Sequence, residues 1–351
     1  MTLLDQKLEQ ERECAEEASG GPEPVRPKKN GLRSKLLATL AMTLCVALAA
    51  SGYLAFRVVG LQNQLKSLRE STVAKRTVQN LATQYGLTTT FLQQLFPQEY
   101  VYVGKHGISF APFNEALQRH SYDWSGLSAD NGRYRYTAPD GTQALAGVDV
   151  STYNGDIDWE AVKADGISFA MIRLGFRGYG ESGKLVLDDK FLQNIQVATQ
   201  AGLEVGVYFF SQAITVEEAV EEAEFVLSAL EGYSITYPVV FDLENVDYDT
   251  ARTDNLTVET ATQVTQAFCQ RIAQAGYRPM IYGNVAWMMD CIDLTQLTEY
   301  DLWLAQYQST PTFPYQFHMW QYRHQGSVAG IQGNVDVNLL LTPWDEETTA
   351  S

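Results

Sequence analysis

Pro238-Val239-Val240-Phe241-Asp242-Leu243-Glu244 is the stretch on which the fold turns. It begins as a short apolar run bounded by proline and closes on two acids. A run of this length reads as a buried strand. Seven more such runs follow residue 146: Val148–Val150, Phe169–Leu174, Val205–Phe210, Met280–Tyr282, Leu302–Tyr307, Phe317–Tyr322 and Val335–Leu339. Helical periodicity fills 159–165, 189–201, 216–231 and 258–275, between the first five runs. Loops join the last three. Alternating strand and helix predicts a parallel sheet, because a parallel connection needs a crossover. Eight strands in about 200 residues predict a closed α/β barrel, with function at the C-terminal strand ends.

Acids stand at those ends. Asp149 closes the first strand, Asp242 and Glu244 close the fourth, and Asp336 lies in the last. Side chains alternate along a strand, so Asp242 and Glu244 face the same side. Carboxylates crowded at a barrel mouth repel each other, and with partial burial this raises the pKa of one of them. A protonated acid beside ionised ones is the equipment for glycosidic cleavage. Tyr208, Tyr282, Trp303, Gln306, Trp320 and Gln321 lie on or near strand ends too. Aromatic faces and amides hold sugars, although each of these is equally well read as barrel core.

Six stretches share a pattern: GVDVSTYNGDIDW (147–159), FAMIRLGFRGYG (169–180), AGLEVGVYFFSQA (201–213), PVVFDLE (238–244), LWLAQY (302–307) and GNVDVNL (333–339). In them the chain resembles the glycoside hydrolase family 25 lysozymes, the Chalaropsis-type N-acetylmuramidases, from about Gly147 to Leu340. The resemblance implies a modified TIM-like barrel of five β/α units plus three further strands. It also implies hydrolysis of the β-1,4 bond between N-acetylmuramic acid and N-acetylglucosamine, without a cofactor or metal. By motif it implies Glu244 as general acid, with Asp149, Asp242 and Asp336 around the sugar at the cleavage point. Tyr208, Tyr282, Trp303 and Gln321 match the sugar-contacting surroundings. Past the acid step two routes stay open. Asp242 orients the substrate's N-acetyl group for attack, or a carboxylate activates water; carboxyl separation separates water activation from a protein nucleophile. A non-catalytic wall-glycan-binding scaffold and a chitinase-like hydrolase are the alternatives.

The N-terminal part is different in kind. Leu36–Phe56 is a run of 21 residues without charge, bounded by Lys35 and Arg57. At 1.5 Å per residue it can cross a hydrocarbon core about 30 Å thick. Ala47-Leu48-Ala49 resembles a signal-peptidase site, but 35 residues precede the run and it continues to Val59, which favours an uncleaved signal anchor over 36–59. Arg26, Lys28, Lys29, Arg33 and Lys35 before it balance Arg57, Lys66, Arg69, Lys75 and Arg76 after it, so the positive-inside rule ties. The nature of the C-terminal domain sets the expected topology: residues 1–35 a cytoplasmic tail, one pass, the barrel (146–345) outside the cell. Leu61, Leu65, Leu68, Val78 and Leu81 predict an amphipathic stalk helix over 60–85. Residues 86–145 read as a small mixed region, with strands at Tyr100–Val103 and Tyr134–Tyr136, either a spacer or a patch packed on the barrel.

Charge and motifs exclude other classes. The chain has 25 basic and 42 acidic residues, and 9 and 29 of these lie in 147–351, a balance of −20 there. That surface repels phosphate backbones, which argues against nucleic acid as a partner; the expected partners are peptidoglycan glycan strands and, through 36–59, membrane lipid. Glu217, Glu218, Glu221, Glu222 and Glu224 read as the solvated face of the 216–231 helix. Gly178-Tyr179-Gly180-Glu181-Ser182-Gly183 spells a dinucleotide fingerprint but no helix follows directly. The four histidines lack metal-ligand spacing, and there is no G-x-S-x-G elbow. Four cysteines rule out a disulfide scaffold, although Cys269 and Cys291 have the option of pairing outside the cell. Asn255-Leu256-Thr257 reads as a helix start before Val258.

Overall fold

The structure, a computed structural model, describes residues 31–70, 72–130, 132–246 and 250–344. Most of the tail expected at 1–35, with Cys14, lies outside the described residues, as does Asn131. Two compact units divide the chain at Ser71.

The described residues of the first unit form one helix, α1 (Gly31–Glu70), in which Thr39–Ser67 is long and apolar enough to cross a membrane. Its large apolar side chains from Leu40 to Leu61 are more than half exposed. No break separates the expected anchor from the first part of the stalk, since 40 residues of unbroken helix extend about 60 Å.

The second unit opens with α2 (Thr72–Tyr85), α3 (Thr89–Leu95) and the hairpin β1 (Glu99–Gly104) and β2 (Gly107–Pro112). Ala82, Leu92, Phe96 and Val101 form a small core between them. Gln79 Nε2 donates to the Ile108 carbonyl at 2.7 Å, and Lys75 pairs with Glu99. The second half of the expected stalk is therefore packed on a hairpin rather than free. A second hairpin, β3 (Leu127–Asp130) and β4 (Arg133–Tyr136), follows.

All eight expected strands form, as β5 (Leu145–Val150), β6 (Phe169–Arg177), β8 (Glu204–Phe210), β9 (Val239–Asp242), β10 (Pro279–Asn284), β11 (Asp301–Ala305), β12 (Met319–Gly326) and β13 (Val335–Leu340), with a short β7 (Leu185–Leu187) paired to β6. The four expected helices are α4 (Trp159–Ala164), α5 (Phe191–Gln200), α6 (Val216–Ala229) and α7 (Val258–Gln274), and a further short α8 (Val285–Asp290) follows β10. Thr257 caps α7 by accepting from the Thr260 N–H, as expected of a helix start. β5 pairs with both β6 and β13, so the sheet closes into an eight-stranded barrel.

One strand departs from expectation. β13 runs antiparallel to both β12 and β5. Residues 327–334 join β12 to β13 without a crossover, and so short a link returns only as a hairpin. The reversal brings the N-terminal end of β13, with Asp336, to the end of the barrel where the parallel strands finish.

The α6 expectation also needs correcting. Glu222 is fully buried. Its Oε1 accepts from Arg177 Nε at 2.7 Å and its Oε2 from Ser211 Oγ at 2.6 Å, so it ties α6 to the end of β6. Burial pushes this carboxyl up to about 7 against the pull of those donors. Glu217, Glu221 and Glu224 on the same helix are exposed.

Among the described residues no helix follows β11, β12 or β13 in the barrel. Residues of the preceding region cover that side instead. Tyr134 stacks on Trp320, with ring centroids 5.5 Å apart, and Trp124 lies against Phe317 and Trp320. Tyr102 Oη donates to Asp290 Oδ1 at 2.6 Å at the end of α8.

Candidate active site

Strand parity sorts the barrel side chains into two sets. Val148, Ala170, Val207, Phe241, Leu304 and Trp320 point outward into the helices and loops. Phe169, Met171, Val240, Met280, Met319 and Leu340 point inward and fill the closed end. Gly147 and Gly206 make room for this filling: a Cβ on Gly147 would meet the Phe169 ring at 2.2 Å, and one on Gly206 would meet Met171 at 2.6 Å. The inward-facing set continues with Tyr208, Tyr282 and Trp303 and with the acids Asp149, Asp242 and Asp336.

Asp149, Asp242, Glu244, Asp336, Tyr208, Tyr282, Trp303 and Gln321 all line one cavity of about 390 Å³. Glu244 lies two residues beyond the end of β9 rather than in it. The alternation persists there: Leu243 is buried in the outer core while Glu244 lines the cavity.

Asp149 and Asp336 are directly opposite in the antiparallel β5–β13 register. Such pairs have Cβ atoms about 4.5–5.5 Å apart. Asp149 Oδ2 accepts from Asn338 Nδ2 at 2.8 Å and Gln321 Nε2 at 2.9 Å. These donors favour its charged form against burial, which pushes it upward. Asp336 is raised more strongly, by burial and by the charge of Asp149, to which it also hydrogen-bonds. Of the two, Asp336 is the one driven further toward its protonated form. Burial, then the charges of Glu244 and Asp149, push Asp242 well above the carboxylate range, with Arg173 pulling the other way. Asp242 Oδ1 is buried without a hydrogen-bond partner among the described residues.

A second layer fixes these groups. Trp303 Nε1 donates to Asn338 Oδ1 at 2.9 Å. The hydroxyls of Tyr282 and Tyr307 donate to Gln321 Oε1 at 2.9 and 2.7 Å. The Gln321 amide is thereby oriented with its N–H toward Asp149. Burial and the nearby carboxylates hold the Tyr208 and Tyr282 phenols far above their ordinary pKa, hence neutral.

Gln306 and Trp320 do not reach the cavity. Trp320 has outward parity, and its indole N–H donates to the Gln306 carbonyl at 2.8 Å. The Gln306 side chain ties down Thr312. The cavity adds residues the sequence reading passed over: Tyr153, Arg173, Phe210 and Tyr307. Parity was the available signal, since Arg173 follows inward-facing Met171 by two and Tyr307 follows Ala305 by two. The glycine-rich run 178–183 is the turn of the β6–β7 hairpin, with Gly178 N–H donating to the Lys184 carbonyl at 2.9 Å. Cys269 and Cys291 are both free, the first buried in the core. Among the described residues no cluster is arranged to hold a metal ion.

A closed α/β barrel whose mouth gathers four carboxyl groups and a ring of aromatics belongs to the class of glycoside hydrolases. Residues 148–331 match the glycosyl hydrolases family 25, and the chain belongs to that family. It is 29% identical over 213 residues to "Lysozyme M1" of Streptomyces globisporus, covering 58% of this chain and 70% of that one. It is 24% identical over 195 residues to the "Autolytic lysozyme" of Clostridium acetobutylicum, covering 55% of each. The chain thus spans only about half the length of the second relative. In fold it resembles the modular autolysin LytC from Streptococcus pneumoniae, solved with a synthetic peptidoglycan ligand, at a TM-score of 0.51 and 21% identity, covering 69% of this chain and 56% of that one.

Proposed function

We propose that this chain is a membrane-tethered muramidase. It hydrolyses the β-1,4 bond between N-acetylmuramic acid and N-acetylglucosamine in peptidoglycan outside the cytoplasmic membrane. The observation that carries this is the single cavity lined by Asp149, Asp242, Glu244 and Asp336. Membership of a lysozyme family and the names of the relatives support the substrate.

Glu244 donates its proton to the leaving glycosidic oxygen. With that proton on Glu244, one of the charges lifting Asp242 is removed, and Arg173 favours the ionised form. The unpartnered Asp242 Oδ1 then accepts the N–H of the substrate's acetamido group. The amide oxygen attacks the anomeric carbon as the glycosidic bond breaks, and water opens the resulting cyclic ion with Glu244 as base. The vacant acceptor on Asp242 favours this route over direct activation of water. Asp149 and Asp336 carry one negative charge between them beside the developing oxocarbenium centre.

The helix over 36–59 holds the enzyme at the membrane with its N-terminus inside. The tether limits cutting to wall within reach, which suits remodelling more than general lysis. Replacing Glu244 with Gln in the full-length chain lowers release of reducing ends from peptidoglycan by about 10²–10⁴-fold, the usual worth of a positioned acid. Retained activity refutes the assignment. Muramic acid at the new reducing end separates the enzyme from a chitinase-like hydrolase, and wall binding without new reducing ends would instead mark a scaffold.

A further inference from the structure

Four carboxyl groups make the cavity hostile to anions, yet one arginine is built into its wall. Arg173 lies on β6, half-buried, and lines the cavity. Its Nε and Nη2 both engage Asp188 Oδ2, at 2.8 and 2.7 Å. Asp188 is buried and also accepts the backbone N–H of Thr152 at 3.1 Å and of Lys190 at 2.9 Å. One carboxylate therefore fixes both the arginine and the 3₁₀ turn Thr152–Asn154. That turn carries Tyr153, a cavity-lining aromatic left 87% exposed. The guanidinium carbon lies 5.0 Å from the Tyr153 ring centroid and 5.4 Å from that of Phe176. Nη1 makes no hydrogen bond among the described residues.

Such a fixed donor beside an exposed ring is specific in a way the carboxylates are not. Chitin is a polymer of one uncharged sugar and has no group that needs a cation. N-acetylmuramic acid differs by a lactyl ether ending in a carboxyl-derived oxygen. That oxygen is a carboxylate in glycan stripped of peptide and an amide carbonyl in peptide-bearing glycan; a guanidinium N–H serves both, the carboxylate better.

Resting on the muramidase reading, we propose that Arg173 is the specificity-determining residue that selects N-acetylmuramic acid over N-acetylglucosamine by donating from Nη1 to the lactyl group, while Tyr153 stacks on the same sugar. Asp188 is the positioning residue for both.

The test is binding to the full-length chain in detergent, on a Glu244→Gln background so that nothing is consumed. The probes are a peptide-free tetrasaccharide of alternating N-acetylglucosamine and N-acetylmuramic acid, its peptide-bearing counterpart, and chitotetraose. The parent should bind the peptide-free muramyl ligand about ten-fold more tightly than chitotetraose, the worth of one charge-assisted hydrogen bond, with the peptide-bearing ligand between them. Arg173→Lys keeps the charge beside Asp188 but loses the fork, and should lower the preference by several-fold. Arg173→Ala should abolish it, while Tyr153→Ala weakens all three ligands. Thermal melting identifies any variant that fails to fold, and Arg173→Lys carries the test if Arg173→Ala does. A parent without preference, or a preference that survives both arginine variants, overturns the inference. Absence of wall cleavage by the unmodified enzyme would instead overturn the muramidase reading, so the two failures are distinguishable.

Discussion

A proton placed between two opposed aspartates has a consequence for stability as well as chemistry. Asp336 is raised in the folded chain, to about 9, because it is buried and faces Asp149 across the β5–β13 pair. The folded state therefore binds this proton more tightly than the unfolded state does. Its contribution is complete below the ordinary carboxylate range and is lost as pH rises toward the folded value. The melting temperature should accordingly fall between pH 5 and pH 9. Asp336→Asn keeps a hydrogen-bonding group of the same size and removes the titration, so its curve over that window should be flatter. Calorimetric melts of both proteins across the window check this, and parallel curves would mean that Asp336 is already ionised at neutral pH.

At the scale of the element, the strands were legible because each is a short apolar run with an anomaly at its end. A charged residue in an apolar strand is conspicuous, which is why Asp149, Asp242, Glu244 and Asp336 stood out. Arg173 is as conspicuous in its apolar strand and shares the parity of Met171; what neither segment shows alone is its partner, Asp188, from the far side of the β6–β7 hairpin. The direction of β13 was hidden for a related reason: periodicity reports which side chains share a face and is blind to strand sense. The loop of residues 327–334 was the overlooked signal. Glu222 shows the limit of a helical wheel. It borders the apolar face of α6, and what buries it is Arg177, 45 positions earlier in the chain. Without Glu222 the buried Arg177 keeps only the exposed Glu221 as an ion partner, at 2.8 Å, and Ser211 loses its acceptor, so the loss lies toward the lower end of the about 3–5 kcal/mol that breaking a buried pair costs. Glu222→Ala should therefore destabilise the barrel by about that much, and Glu217→Ala, exposed on the same helix, by less than about 0.5 kcal/mol. Denaturant midpoints of the two variants make the comparison; equal costs would return the whole acidic run to the solvent.

For the whole second unit, the family match and the cooperative structure have different limits. The match begins at residue 148, yet among the described residues no helix follows β11, β12 or β13 to cover that side of the barrel. Phe317 and Trp320 are fully buried and Tyr322 nearly so, and much of what covers them comes from Tyr122, Trp124 and Tyr134. Arg133 adds a pairing with Asp165 and a 2.9 Å hydrogen bond to the Ser327 carbonyl. A chain begun at residue 146 would uncover these rings as one contiguous apolar patch, of the kind that drives association once it exceeds a few hundred Å². The net charge of −20 carried by 147–351 opposes association, but it acts over a Debye length of about 8 Å at physiological salt and is screened as salt rises. The apolar patch feels no such screening. A protein begun at residue 146 should therefore aggregate, increasingly with added salt, whereas one begun at Thr72 should remain monodisperse and keep its activity. Light scattering and size-exclusion chromatography of the two chains at low and high salt decide the matter. A shorter chain that stays monodisperse and melts at the same temperature would reduce residues 86–145 to a spacer.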